Sequence, residues 1–235
     1  MEIIFKKDEN ILQEEAGEKL SNLLSVKTPT LLLLAGGSAF SLLDSVETKV
    51  FSSNLTIGMG DERYDTEEMA NNFAQLMKTE FYVEAMAKGA QFFDSRVETD
   101  ETFEQFGERF KKNITDWIIK NPNGSIVATF GIGEDGHTAG ILPFPENPAL
   151  FEEIFEKNDT AVAYDAKGKN VYPHRVTITL PFIRTKIHAA IVYSIGEKKR
   201  NALSKALGPS GYVSETPARV LKEIRNTSLF TNLEF

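Results

Sequence analysis

The sequence predicts an α/β fold in which a mostly parallel sheet is covered on both faces by helices. Two observations carry this. Short aliphatic runs, such as TLLLL from Thr30 and SIVATF from Ser125, alternate with segments whose apolar residues recur at helical spacing. Four strand runs also lead directly into Gly-rich or polar loops: AGGS, GDER, GIGEDGHT and SIGEKK. In such sheets ligands gather beyond the carboxyl ends of the strands, so four unusual loops at one rim point to a single site.

Taken in order, residues 3 to 5 read as a strand. The helix after it is capped by Asp8 or Asn10 and carries Ile11, Leu12, Ala16, Leu20, Leu23 and Leu24 at helical spacing. Pro29 stops that pattern, TLLLLAGGS reads as a buried strand entering a turn, and a second helix is expected from Ser38. LTIGMGDER is a strand ending in a turn, and 67–88 is helical, in one or two pieces. Thr99 or Asp100 caps a long amphipathic helix with Phe103, Phe106, Phe110, Ile114, Trp117 and Ile118 on one face, an ordinary core stripe. NPNG is a turn and SIVATF a strand, and Pro143, Pro145 and Pro148 predict an irregular stretch. Further strands are expected at 160–164, 175–179, 187–194 and around 228–231, with a helix starting near Gly196. With no repeat, low-complexity tract or linker, residues 1–235 are expected to form one domain.

The composition narrows the function. A chain of 235 residues, 41% hydrophobic and 26% charged, has the balance of a globular protein. It contains no cysteine, which excludes disulfides and thiolate chemistry and permits a cytoplasmic home. MEIIFKKDEN lacks the apolar stretch of a signal peptide, and the aliphatic run Leu31–Leu34 is too short to span a membrane. The net charge of −8 argues against a nucleic-acid partner and requires local cations to hold an anionic ligand.

Gly36-Gly37-Ser38, between a strand and a helix, allows a tight turn with free N–H groups, either as an ordinary connection or as an anion site. No Lys-Ser or Lys-Thr follows, so it is not a P-loop. Asp61-Glu62-Arg63 places two carboxylates and a guanidinium at a strand end; taken alone it reads equally as a solvated charge run. Gly131-Ile132-Gly133-Glu134-Asp135-Gly136-His137-Thr138 is the most informative segment. It spells G-x-G-x-x-G, but Glu134 and Asp135 would put negative charge where a pyrophosphate sits, and Pro143 leaves little room for the following helix. It reads instead as a loop presenting His137, whose ordinary pKa of ~6.5 suits proton transfer, with Asp135 close by. His174 and His188 fit structural positions. Metal binding is not expected, since there is no Cys, no H-x-x-x-H pair and no second His near His137. Arg175, at a strand start, and Lys198-Lys199, at a helix start, are basic groups able to close over a phosphate, although the lysines alone read as a solvated face.

In order and spacing, AGGS at 35–38, GDER at 60–63, NNF at 71–73, GIGEDGHTAGILP at 131–143, RVTITLP at 175–181 and GEKK at 196–199 resemble the 6-phosphogluconolactonase family, within the glucosamine-6-phosphate deaminase/isomerase-like fold. The resemblance implies a Rossmann-like three-layer sandwich, no cofactor and no metal. It also implies hydrolysis of 6-phospho-D-glucono-1,5-lactone, a step of the oxidative pentose phosphate pathway, by a cytoplasmic monomer or weak homodimer. It makes His137 the catalytic base, with Asp135, Asp61 and Glu62 beside it. Gly36, Gly37, Ser38, Arg63, Arg175 and Lys199 become phosphate or substrate ligands, and Asn72 part of the site wall. The chain departs from the family at Gly140, where Ser is usual, and in a shortened 64–71 segment without the usual Val-Pro.

Two rivals differ in what they require. An amino-sugar phosphate deaminase-isomerase of this fold continues Asp-Gly-His with Ala-Phe-Asn-Glu-Pro, and here Leu142 stands at the Glu position. A non-catalytic sugar-phosphate sensor would keep the binding loops without turnover; the DNA-binding module of transcriptional sensors is not visible in the sequence.

Overall fold

The computed structural model describes residues 1–157, 160–166 and 168–234. Its frame is a seven-stranded sheet, every paired neighbour parallel. In chain order its strands are β1 (Glu2–Phe5), β2 (Thr30–Leu34), β3 (Leu55–Met59), β5 (Gln91–Phe92), β6 (Ser125–Phe130), β9 (Ala189–Tyr193) and β10 (Thr227–Thr231). Across the sheet they run β1-β10-β9-β6-β2-β3-β5. Each residue of TLLLL in β2 is buried, as a central strand between β6 and β3 requires.

The helices form where caps and apolar stripes coincide. In α1 (Glu9–Leu24) the Asp8 carboxylate accepts from the N–H groups of Asn10 and Ile11, and Leu12, Ala16, Leu20 and Leu24 bury one face against β9 and β10. For α4 (Phe103–Lys120) the cap is Thr102, not Thr99 or Asp100. Thr102 and Gln105 close a reciprocal capping box, which supplies two acceptors where the earlier residues would supply one. Phe106, Phe110, Ile114 and Trp117 are buried as the stripe predicts.

The remaining helices refine what the sequence predicts. No α-helix starts at Ser38; Gly37–Ser45 is 3-10 helix. The 67–88 segment is helical only in α2 (Asn72–Leu76) and α3 (Glu80–Ala87), because Asn71 and Thr79 each cap a new start. The proline-rich stretch leads into α5 (Pro148–Phe155), where Pro148 takes the first helical position, in which its missing N–H costs nothing. Helix α6 (Leu180–Lys186) starts the same way, with Thr179 as cap and Pro181 in the first turn. After Gly196 a 3-10 turn, Glu197–Lys199, precedes α7 (Arg200–Leu207).

The largest correction concerns the sheet. GDER does not end in a turn: Asp61–Arg63 is β4, a strand of a separate three-stranded antiparallel sheet with β8 (His174–Ile178) and β7 (Ala161–Asp165). Helix α4 packs on this small sheet through β7 and β8. Because side chains alternate along a strand, Asp61, Arg63, Arg175, Thr177 and Tyr164 share one face of it, whereas Glu62 and Val176 share the other.

Candidate active site

A cleft of about 300 Å³ opens between the carboxyl ends of the parallel strands and that polar face of the small sheet. Its loop side is lined by Gly36, Gly37 and Ser38 after β2, by Gly131–Glu134 and His137 after β6, and by Lys199 after β9. The small sheet contributes Asp61, Arg63 and Arg175, and Ala139 and Gly140 lie between the two walls. Residues as far apart in sequence as Gly36 and Lys199 thus line one cleft; three of the four expected rim loops meet there, while GDER enters as a strand of the small sheet.

His137 is held by its own loop. Its Nδ1 lies 2.6 Å from Asp135 Oδ1, which also accepts from the His137 backbone N–H at 3.1 Å. Glycine is obligatory at 133: a Cβ there would stand 2.1 Å from His137 Nδ1 and 2.7 Å from Asp135 Oδ1. Burial works against the Asp135 charge, but the hydrogen bond and charge of His137 outweigh it and hold the carboxyl below its ordinary range. With Nδ1 engaged by a carboxylate, Nε2 is the nitrogen left for chemistry.

Asp61 is paired with Arg175, Nη2 to Oδ2 at 3.2 Å, with both side chains almost wholly buried. Arg63 is anchored differently. Its Nη1 donates to the Ala70 carbonyl at 2.7 Å and to Asn72 Oδ1 at 2.9 Å, and Asn72 Nδ2 donates to the Asp61 carbonyl at 3.0 Å. Asn72 therefore braces the wall from behind and does not line the cleft itself. Lys199 Nζ donates to Ser38 Oγ at 2.9 Å, which fixes Lys199 rather than Lys198 as the lysine at the cleft. Burial pushes the Lys199 ammonium pKa down, partly offset by the charge of Glu134.

Glu62 stands apart from the expected catalytic set. It is fully buried on the opposite face of β4, where Oε1 accepts from the N–H groups of Arg63 and Asn72 and Oε2 from Phe73 N–H and Ser95 Oγ. Burial pushes its carboxyl up to about 8, against the four donors, which favour the anion. It ties the start of α2 to β4 and has no access to the cleft. Two contributors carried no signal in the sequence: the Tyr164 and Thr177 hydroxyls, which hold the turn after His137. Among the described residues no group of three or more His, Asp or Glu is arranged to hold a metal ion, and no helix is long and apolar enough to cross a membrane.

Residues 9–230 match the family model described as glucosamine-6-phosphate isomerases/6-phosphogluconolactonase. The chain belongs to this family. Among curated relatives, the 6-phosphogluconolactonase of Borreliella burgdorferi is 23% identical over 246 residues, covering 100% of this chain and 97% of the relative. That of Chlamydia trachomatis is 25% identical over 160 residues, covering 68% and 56%. Solved structures of 6-phosphogluconolactonases share the fold. The protein from Shewanella baltica superposes with a TM-score of 0.71 at 20% identity, covering 98% of this chain and 95% of that one. The one from Trypanosoma brucei gives 0.69 at 18% identity, covering 98% and 95%. Leu142 is 2% exposed and apolar, so this chain has no proton-transferring side chain at that position.

Proposed function

We propose that the protein hydrolyses 6-phospho-D-glucono-1,5-lactone to 6-phosphogluconate. The observation that carries this is the His137–Asp135 pair, 2.6 Å apart, facing a cleft that also presents Arg63, Arg175 and Lys199. Neutral His137 takes a proton through Nε2 from a water that attacks C1, and returns it to the departing ring oxygen. Asp135 holds the tautomer and stabilises the imidazolium. Ser38 and Lys199, with Arg63 close by through Asn72 and Gly36, form the anion end of the cleft and take the phosphate. Asp61 and Arg175 shape the end nearer Gly140, where the lactone ring reacts. Phosphate binding far from C1 places the ring for attack, so binding energy becomes correct orientation. The reading requires no metal or cofactor, and it suits a cytoplasmic monomer or weak homodimer.

The test is hydrolysis of freshly generated 6-phosphogluconolactone, scored against its spontaneous opening, with and without a chelator. Acceleration that survives the chelator is the expected result. Stabilisation of the protein by 6-phosphogluconate with no acceleration would replace the enzyme with a sensor, and ammonia release from glucosamine 6-phosphate would favour the deaminase side of the family.

A further inference from the structure

Two residues after His137 the backbone enters a conformation that L-residues avoid. Ala139 has φ 47° and Gly140 φ 67°, and the Ile141 N–H closes the turn on the Thr138 carbonyl at 2.8 Å. A non-glycine residue with positive φ persists only where its surroundings hold it. Here the hold is specific. The buried Thr177 hydroxyl donates to the Ala139 carbonyl, and the buried Tyr164 hydroxyl donates to the Gly140 carbonyl at 2.5 Å. Both hydroxyls come from the polar face of the small sheet.

The peptide bonds are trans, so each N–H points opposite to the carbonyl of its own peptide. Pinning the Ala139 carbonyl onto the small sheet therefore turns the Gly140 N–H away from that sheet. In a left-handed turn successive N–H groups run nearly parallel, so the Ala139 N–H shares that direction. Among the described residues neither N–H has an acceptor, and both residues line the cleft that holds His137. Asp61 abuts the turn from the same sheet face as Thr177, with which it pairs in register, and a Cβ on Gly140 would lie 2.6 Å from its Oδ2. Its charge is met by Arg175.

We propose that the Ala139–Gly140 turn is the oxyanion hole of the enzyme, with Thr177 and Tyr164 as the positioning residues that aim it. The inference rests on the lactonase reading and adds a site to it. As the water oxygen bonds to C1, its proton passes to His137 and the C1=O π pair moves onto the exocyclic oxygen, where the two N–H groups receive it. When that pair returns, the bond from C1 to the ring oxygen breaks and the imidazolium proton goes to the ring oxygen. Lactone and water become the hydroxy acid, with nothing oxidised or reduced. Backbone donors of this kind cost no reorganisation during the reaction.

The experiment compares Thr177→Val, Tyr164→Phe and Thr177→Ser in the full chain, assayed on 6-phosphogluconolactone. Affinity for the product 6-phosphogluconate and thermal stability are measured alongside. Deleting an oxyanion donor outright costs about 10²–10³ in kcat; loosening its support is expected to lower kcat about 10- to 100-fold in the Val and Phe variants, with KM and product affinity held within about twofold. Thr177→Ser, which keeps the hydroxyl, is expected to restore most of the loss. Folded Val and Phe variants with kcat near the wild-type value would overturn the proposal, as would a parallel loss of kcat and product affinity, which is the mark of a merely structural role. If Thr177→Val does not fold, Tyr164→Phe and Thr177→Ser decide. An inactive wild type would remove the lactonase reading itself, an outcome distinct from an active wild type with indifferent variants.

Discussion

The two walls of the cleft hold their charges in opposite ways. On the loop wall, His137 and Asp135 are 37% and 47% exposed, and their geometry comes from backbone contact with Gly133. On the small-sheet wall, Arg175 and Asp61 are 3% and 7% exposed, and each is the other's ion-pair partner. An exposed pair contributes little to stability, whereas breaking a buried one leaves an ion without a partner. The loop wall is therefore where chemistry changes without unfolding, and the small sheet is where structure and chemistry fail together. Substitutions on each side test that division.

The largest effect is expected on the loop wall. His137→Asn removes the group proposed to move the proton, and kcat should fall by about 10²–10⁴. Stability should stay within ~0.5 kcal/mol, because the residue is partly exposed and supports no other element. Urea unfolding alongside the lactone assay reads both numbers. A large loss of stability would erase the contrast between the walls.

Arg175→Leu should do the reverse, costing about 3–5 kcal/mol of stability by leaving Asp61 charged and buried. Asp61→Leu added to Arg175→Leu should recover part of that loss, since neither charge is then stranded. Both follow from urea midpoints at constant m. A double variant no more stable than the single one would mean that Asp61 draws its main support from elsewhere.

Glu62→Gln should cost about 1–3 kcal/mol, because the amide nitrogen meets donors where a carboxyl oxygen accepted. The pH dependence sharpens the point. Glu62 is pushed up to about 8 in the folded state, mainly by burial. The native state then holds its proton more tightly than the unfolded chain, and this contribution to stability is present at low pH and is lost as pH rises through about 8. The wild-type advantage over Glu62→Gln should accordingly shrink between pH 5 and pH 8. A gap that widens over that range would mean that the four hydrogen-bond donors outweigh burial.

How legible each wall was in the sequence follows from how it is built. His137 sits in a local segment whose glycines, carboxylate and imidazole act on one another within a few residues, so the motif carries its own chemistry. The parallel strands were likewise readable from aliphatic runs such as TLLLL, which is buried throughout. Of the small sheet, the strands expected at 160–164 and 175–179 are present as β7 and β8, but their partner was not readable, because β4 is three residues long and exists only by pairing with β8, 114 positions away at the Asp61–Arg175 contact. Without that pairing there is no strand parity, and without parity Asp61 and Glu62 look like equal members of one acidic pair. The hydroxyls of Thr177 and Tyr164 were hidden for the same reason. Pro148 was misleading in another way: a proline that breaks a helix interior also opens a helix at its first turn, and only the capping Asn147 decides between them.

The smallest expected effect lies at the anion end, where the loop wall is half-buried. Lys199 is held by Ser38 and pushed toward neutrality by burial, so a bound phosphate dianion restores an opposite charge that Glu134 supplies only in part. A charged hydrogen bond at such a site is worth about 1.5–3 kcal/mol, and screening at the cleft mouth reduces it. Lys199→Ala should therefore raise KM about tenfold while kcat changes by less than about threefold, since the lost contact is made equally in ground and transition states. Added salt should narrow the difference between the two enzymes. Lys198→Ala is the matched control, one residue away and outside the cleft, and its KM should stay at the wild-type value. A KM effect in Lys198→Ala with none in Lys199→Ala would move the anion end off the Ser38 loop, and the orientation of the lactone with it.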